Sequence, residues 1–344
     1  MSLNEAFAVF GDKVARDCIR ISHDPTDLDQ AGWWAVTQTF EGEFVGYQFA
    51  EVTDREPVRT EKLQSVDRNL WQSSMSQDEY ETAVAIIRDD IARGWVYQAN
   101  LCRVLTAKLP DLIDGYALWN ALCEHNPAPH AGYLYVPATE TNPRVEVMCA
   151  SPELFLSRRG NHVMSSPIKG TAKSQERLLD KDSSENIMIV DLVRNDLSHV
   201  AIPGSVTVAD LLRLEEHPGL VHLVSDVVGE LPDGTSWRDI LTGLTPPGSV
   251  SGAPKSSALE VINRLEKSPR GIYCGAFGWV DANDSTASLA VGIRTFWQEE
   301  TVNGASLHFG TGAGITWGSD PHNEWLETEL KANRLLNIAA GITS

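Results

Sequence analysis

The sequence predicts one α+β domain built on mostly antiparallel strands. Three observations carry this. The segments "IYCGAFGWV", "TASLAVGIRTFW" and "ASLHFGTGAGIT" read as long strands joined by short polar turns, the connection of an antiparallel sheet and not of βαβ units. Helical patterns recur between strand patterns along the chain. No repeat, low-complexity tract or linker divides the 344 residues, and 42% hydrophobic residues are enough for a sizeable core.

Each element has its own signal. "WWAVTQTF" and "FVGYQFAEV" read as strands around the turn "EGE", and the first 75 residues otherwise show no chemistry. Ser76 is the N-cap of a helix with Val84, Ile87 and Ile91 on one face, stopping at Gly94. The strand "WVYQANLCRVLTAKL" follows, then a helix "DGYALWNALCEHNP" ended by Pro127, then strands "AGYLYVP" and "VEVMCAS". "ELFLSRRG" turns at Arg159, Gly160 and Asn161 into "HVMSSPIKG", a hairpin that brings Glu153 and Lys169 toward one end of the sheet. "SSENIMIVDLVRNDL" is helical by the stripe Ile187, Ile189, Val190, Leu192 and Val193. A strand-rich stretch with a turn at Pro218–Gly219 comes next, then helices "TSWRDILTGL" and "PKSSALEVINRLEKS". The last helix has Asp320 as N-cap and Pro321 at its first position.

Lys plus Arg number 28 against 47 Asp plus Glu, a formal charge of −19, which disfavours nucleic acid and anionic membranes as partners. An anionic ligand therefore needs a bound cation, convergent Arg and Lys, or backbone N–H groups at a turn. Cys18, Cys102, Cys123, Cys149 and Cys274 are odd in number and never in C-x-x-C, so buried free thiols are expected, not disulfides or zinc. The N-terminus lacks a basic segment followed by an apolar core, and no run of 18 apolar residues exists, so a soluble cytoplasmic protein is expected.

Two acidic pairs stand at i, i+3: Asp182 with Glu185, and Glu324 with Glu327. Meeting across a cleft they would make an oxygen-rich site suited to Mg²⁺. Each pair alone fits a capping box or an acid-rich first helical turn just as well. Lys169 in "PIKG" sits between a proline and a glycine, where partial desolvation would lower its pKa and leave a nucleophilic amine, although most turn lysines face water. Glu153, ahead of "LFL", suits a general acid raised by apolar neighbours, or a strand cap. "GTGAGI", leaving a strand, is either a backbone cradle for an anion or a bulge; it is not a dinucleotide fingerprint. Arg294 and Lys331 are the cations best suited to hold a carboxylate near a metal, or to form surface pairs. Ser251 in "PPGSVSGAPK" lacks the G-x-S-x-G register of an acyl-transfer nucleophile.

From about Ser76 to Leu336 the ordered motifs "YQANLC", "SPELF", "PIKGT", "ENIMIVDLVRNDL", "VHLVS", "PGSVSGAPK", "CGAFGW", "IRT", "GAGI" and "DPHNEWLETELK" resemble the chorismate-utilising enzymes. Among these the chain is most similar to component I of aminodeoxychorismate (para-aminobenzoate) synthases. The resemblance implies the anthranilate synthase component I-like fold, two mostly antiparallel β-sheets packed with helices. Residues 1–75 would be a shortened N-terminal part of the same domain and 76–344 the chorismate-binding catalytic region. It also implies amination of chorismate at C4 in para-aminobenzoate and folate biosynthesis, with ammonia from a glutamine amidotransferase subunit. Glu185 and Glu327 would hold Mg²⁺, with Asp182 and Glu324 supporting through water. Lys169 would attack C2, Glu153 would protonate the leaving hydroxyl, and His222 would lie near it. Arg294, Lys331, Gly312, Ala313, Gly314, Ser251 and Gly252 would bind substrate. The lysine of "PIKGT" separates 4-amination from anthranilate synthases, which usually carry alanine there, and Gln98 stands where isochorismate and salicylate synthases place a water-activating lysine. Asp182 replaces a frequent glutamate, Ala313 a frequent glycine, and Trp279 a tyrosine that often meets substrate. The alternatives are an anthranilate synthase component I and a non-catalytic chorismate- or Mg²⁺-binding module.

Overall fold

Successive strand residues point to opposite sheet faces, and every pairing the strands make among the described residues is antiparallel. The computed structural model describes residues 3–54, 62–172, 180–217 and 220–342, without the side chains of 171–172, 180–184, 216–217 and 220. The first strands are β1 (Phe7–Phe10), β2 (Lys13–Ser22), β3 (Trp33–Gln38), β4 (Phe44–Asp54), β5 (Trp71–Ser73) and β6 (Gln98–Leu109). The middle strands are β7 (His130–Val136), β8 (Val145–Ser151), β9 (Leu154–Arg159), β10 (His162–Ser166), β11 (Ile168–Ala172), β12 (Thr207–His217) and β13 (Leu220–Glu230). The last are β14 (Gly252–Ala253), β15 (Ala276–Asp281), β16 (Thr286–Val291), β17 (Thr295–Thr301) and β18 (Gly304–Ile315). Among the described residues six α-helices accompany them: α1 (Gln77–Ala92), α2 (Gly115–His125), α3 (Asp180–Ser198), α4 (Trp237–Leu244), α5 (Lys255–Leu265) and α6 (Pro321–Ala339).

The two expected sheets are halves of one hydrogen-bonded network. One half runs β12–β13–β10–β9–β16–β15–β3–β4–β2. The other runs β1–β7–β8–β17–β18–β6–β5, and the β1–β2 hairpin joins them. The largest apolar cluster unites Trp34, Phe44 and Phe277 of the first half with Val104, Leu134 and Cys149 of the second. A second cluster packs α2 and α6 on the second half, and a third packs α1 and α5 against β6 and β18. Burial of these faces supplies the main stabilisation, about 25 cal/mol for each Å² of apolar surface removed from water.

Local signals hold where expected. Ser76 forms a complete capping box with Glu79, and the Asp320 side chain accepts the Asn323 N–H at 3.0 Å. The hairpin through Gly160 is present as β9–β10. All five cysteines are free, and no described helix is long and apolar enough to cross a membrane.

Other readings change. "TASLAVGIRTFW" is not one strand: it breaks at Gly292–Arg294, and the chain passes from the first half (β16) to the second (β17). A Cβ on Gly292 would lie 2.1 Å from the Ile272 carbonyl oxygen, and Arg294 adopts φ 51°. "GTGAGI" neither leaves its strand nor bulges: β18 keeps unbroken register with β6 from Ala305↔Leu109 to Ile315↔Ala99. α3 begins at Asp180, ahead of Asp182, so a capping box over Asp182 and Glu185 is not its start. β1 and β2, unread in the sequence, link the halves. The turn at Pro218–Gly219 lies outside the described residues.

Arg270, only 1% exposed, ties these layers together. Its guanidinium donates to the Asn100 carbonyl of β6 (2.8 Å), the Val250 carbonyl (2.9 Å) and both oxygens of Glu266 (2.7 and 2.8 Å). Glu266 also accepts the Cys102 N–H at 2.8 Å. A buried pair is strongly destabilised when one member is removed, because the other charge stays behind. Arg270→Leu should lower unfolding stability by about 3–5 kcal/mol in denaturant titration, and Arg270→Leu with Glu266→Leu should cost distinctly less.

Candidate active site

Two of the places where the chain passes between sheet halves carry a titratable side chain at the crossing. Between β8 and β9 it carries Glu153; between β16 and β17 it carries Arg294. The crossings are bonded to each other's strands: Val291 N–H donates to the Glu153 carbonyl (3.0 Å) and Ala150 N–H to the Arg294 carbonyl (3.1 Å).

Glu153 is 5% exposed. Its Oε1 accepts the Ser249 hydroxyl at 2.6 Å. Burial pushes its carboxyl up to about 7, against the opposing pull of the Ser249 hydrogen bond and of Lys169. Lys169 stands on β11, where Thr171 lies opposite His222 of β13. Although the residue is only half-buried, desolvation of its amine is the main cause lowering its pKa. Lys331 lowers it further, while Glu153, Glu185 and Glu327 oppose. One amine therefore feels a charge from the β8–β9 crossing, one from α3 and two from α6.

On α6, Lys331 Nζ lies 2.7 Å from Glu327 Oε1 and donates to the Gly312 carbonyl at 3.0 Å. Glu327 is half-exposed, whereas Glu324 is buried beside Tyr80, so the two do not present equally to Lys169. Among the described residues no group of three His, Cys, Asp or Glu forms a ready metal cage. The Asp182 side chain lies outside the described residues. Glu185 and Glu327 remain, and Mg²⁺ is commonly held by one or two carboxylates with water and substrate oxygens completing the shell. The donor set is of the right chemistry.

Burial pushes the Arg294 guanidinium down to about 10, with Arg334 acting in the same sense. No acid among the described residues lies within ion-pairing distance of Arg294. Gly312, Ala313 and Gly314 lie on β18 beyond Phe309, where its pairing with β17 ends. A Cβ at Gly312 would stand 2.5 Å from Cys102 Sγ. His222 is 1% exposed on β13. The Ser251 hydroxyl is fully buried and donates to the Pro247 carbonyl at 3.0 Å, and Gly252 pairs with Ala99, so both shape the turn. Gln98 is buried with Nε2 3.4 Å from Asn100 Oδ1. Trp279 stacks on Trp33, ring centroids 6.3 Å apart, at the edge of the main core. The sequence reading missed Ser249, two positions before Ser251 in the same motif.

Residues 25–337 match the family described as chorismate binding enzyme. Anthranilate synthase component 1 of Aquifex aeolicus is 33% identical over 303 residues, covering 85% of this chain and 57% of that protein. Aminodeoxychorismate synthase component 1 of Bacillus subtilis is 33% identical over 293 residues, covering 82% of this chain and 60% of that protein. The chain thus spans about 57–60% of the length of these relatives. In shape it is similar to a putative 2,3-dihydroxybenzoate-specific isochorismate synthase, DhbC, from Bacillus anthracis, with TM-score 0.80, 23% identity and coverage of 99% of this chain and 97% of that one. Anthranilate synthase component I from Streptococcus pneumoniae gives TM-score 0.79 at 21% identity, covering 95% and 92%. These last two likenesses bear on fold alone; with the family match over residues 25–337 and relatives at 33% identity, the chain belongs to the chorismate-binding enzyme family.

Proposed function

We propose that the chain converts chorismate and ammonia to 4-amino-4-deoxychorismate, with ammonia from a glutamine amidotransferase partner. The observation that carries this reading is Lys169, a desolvated amine under the electrostatic influence of the buried Glu153 carboxyl. Neutral Lys169 Nζ attacks ring carbon C2, the two ring double bonds shift, and the C4 hydroxyl leaves as water with the Glu153 proton. Ammonia then adds at C4, the double bonds shift back, and Lys169 departs from C2 as an amine; the protons lost by the two nitrogens restore Glu153 and pass to solvent. Arg294 and Lys331 bind the substrate carboxylates, supported by the β18 backbone at Gly312–Gly314, and His222 lies near the leaving hydroxyl. Glu185 and Glu327 would hold Mg²⁺, with Asp182 and Glu324 supporting through water, and the ion when bound would neutralise charge on the ring carboxylate. The second reading is amination at C2 with release of pyruvate, favoured by the equally similar relative named anthranilate synthase component 1.

Incubation with chorismate, Mg²⁺ and ammonium should yield a product that a lyase converts to para-aminobenzoate; fluorescent anthranilate would contradict the reading, and no consumption of chorismate, even with the amidotransferase supplied, would favour a binding module. Lys169→Ala should abolish most aminodeoxychorismate formation in that assay, and an unchanged rate would remove the nucleophile role. Glu153 acts in its protonated form, with a pKa of about 7, so kcat/KM should fall as pH rises through about 7. Glu153→Gln should lower kcat by about 10²–10⁴-fold and erase that descending limb.

A further inference from the structure

Ser249 is the only described side chain with a hydrogen bond to the Glu153 carboxyl, and it does so from a turn held at two points. The Asn100 side-chain amide donates to the Ser249 carbonyl at 3.0 Å. The preceding Gly248 N–H donates to Asp196 Oδ2 at 3.0 Å, and Asp196 Oδ1 pairs with Lys255 Nζ at 2.8 Å. A Cβ at Gly248 would stand 2.7 Å from Asp196 Oδ2, so glycine is what allows this approach. Ser249 and Asp196 are each 6% exposed, and burial favours a bond whose donor and acceptor are both fixed. Glu153, Ser165, Asp196 and Ser249 line one cavity of about 20 Å³. That is room for about one water, so a missing hydroxyl is replaced by at most a single water that lacks the fixed position of the Ser249 hydroxyl.

We propose that Ser249 is a positioning residue for Glu153: its hydroxyl, fixed by Asp196 through Gly248 and by Asn100, holds Oε1 and leaves Oε2 to carry the proton toward the substrate. This rests on the reading of Glu153 as the acid. The groups around that carboxyl are Lys169 from β11, Ser249 from the turn before β14, and Asp196 from α3 with its partner Lys255 from α5. Of these, Ser249 and Lys169 favour the ionised form. A donor to a carboxylate stabilises the charge, so removing it shifts the proton onto Glu153.

The test is a titration of the Glu153 carboxyl by ¹³C NMR in protein labelled at the glutamate carboxyl carbon, with Glu153→Gln giving the assignment. The wild-type signal should titrate at about 7. Ser249→Ala should raise the midpoint by about one, a tenfold change in the ionisation equilibrium. Ser249→Thr, which keeps the hydroxyl, should bring it back, and Ser249→Cys replaces the alanine variant if that one does not fold. With chorismate and ammonium, Ser249→Ala should lower kcat about tenfold with KM nearly unchanged, the signature of an interaction that positions the acid without binding substrate. An unmoved midpoint in Ser249→Ala, or a threonine variant that behaves like the alanine one, would overturn the proposal. The titration needs no substrate, so it stands whichever carbon is aminated. A product other than aminodeoxychorismate together with a shifted midpoint would remove the function reading alone.

Discussion

Two backbone hydrogen bonds, from Val291 to the Glu153 carbonyl and from Ala150 to the Arg294 carbonyl, hold two of the places where the chain passes between sheet halves. Everything proposed for the site depends on these crossings. A residue inside a regular ladder points squarely to one face or the other, whereas a crossing turns its side chain along the seam. Glu153 and Arg294 occupy such positions on adjacent segments. β11 and α3 bring Lys169 and Glu185 from the first half, and β18 and α6 bring Gly312, Glu327 and Lys331 from the second.

Burial acts on both members of the Lys169–Glu153 couple in the direction the chemistry asks for. It raises the carboxyl and lowers the amine, moving each toward its uncharged form. Their mutual attraction works the other way, favouring both charges, and in each case desolvation is the larger effect. The same seam resolves the formal charge of −19. In the proposed reaction an anion would meet Arg294, which has no acidic partner among the described residues, and Lys331, which stands beside Glu327 and the Gly312 carbonyl.

What the sequence disclosed follows the range of each interaction. The caps at Ser76 and Asp320 are set within four residues, and the turn at Gly160 within three, so both were legible. Lys169 and Glu153 were legible as a pair because one hairpin separates them. The break at Gly292–Arg294 was not, since it depends on the Ile272 carbonyl occupying the space of an absent side chain. The straight run of "GTGAGI" was also hidden: three glycines suggest a bulge until β6 is known to pair along its whole length. Ser249 was missed for a similar reason, because its partner is 96 positions away. The i, i+3 spacing of Glu324 and Glu327 was read correctly as helical, yet it does not disclose that Glu324 is buried and Glu327 half-exposed.

The central claim is that a desolvated Lys169 attacks the ring while Glu153 releases the hydroxyl, and its most direct test withholds the second substrate. The protein is incubated with chorismate and Mg²⁺ without ammonia, quenched in acid, digested and analysed by mass spectrometry. The account predicts that the peptide containing Lys169 gains the mass of chorismate less one water, and that Glu153→Gln suppresses the gain. An unmodified Lys169 in protein that still makes product once ammonia is added, or the same mass found on another residue, would contradict it.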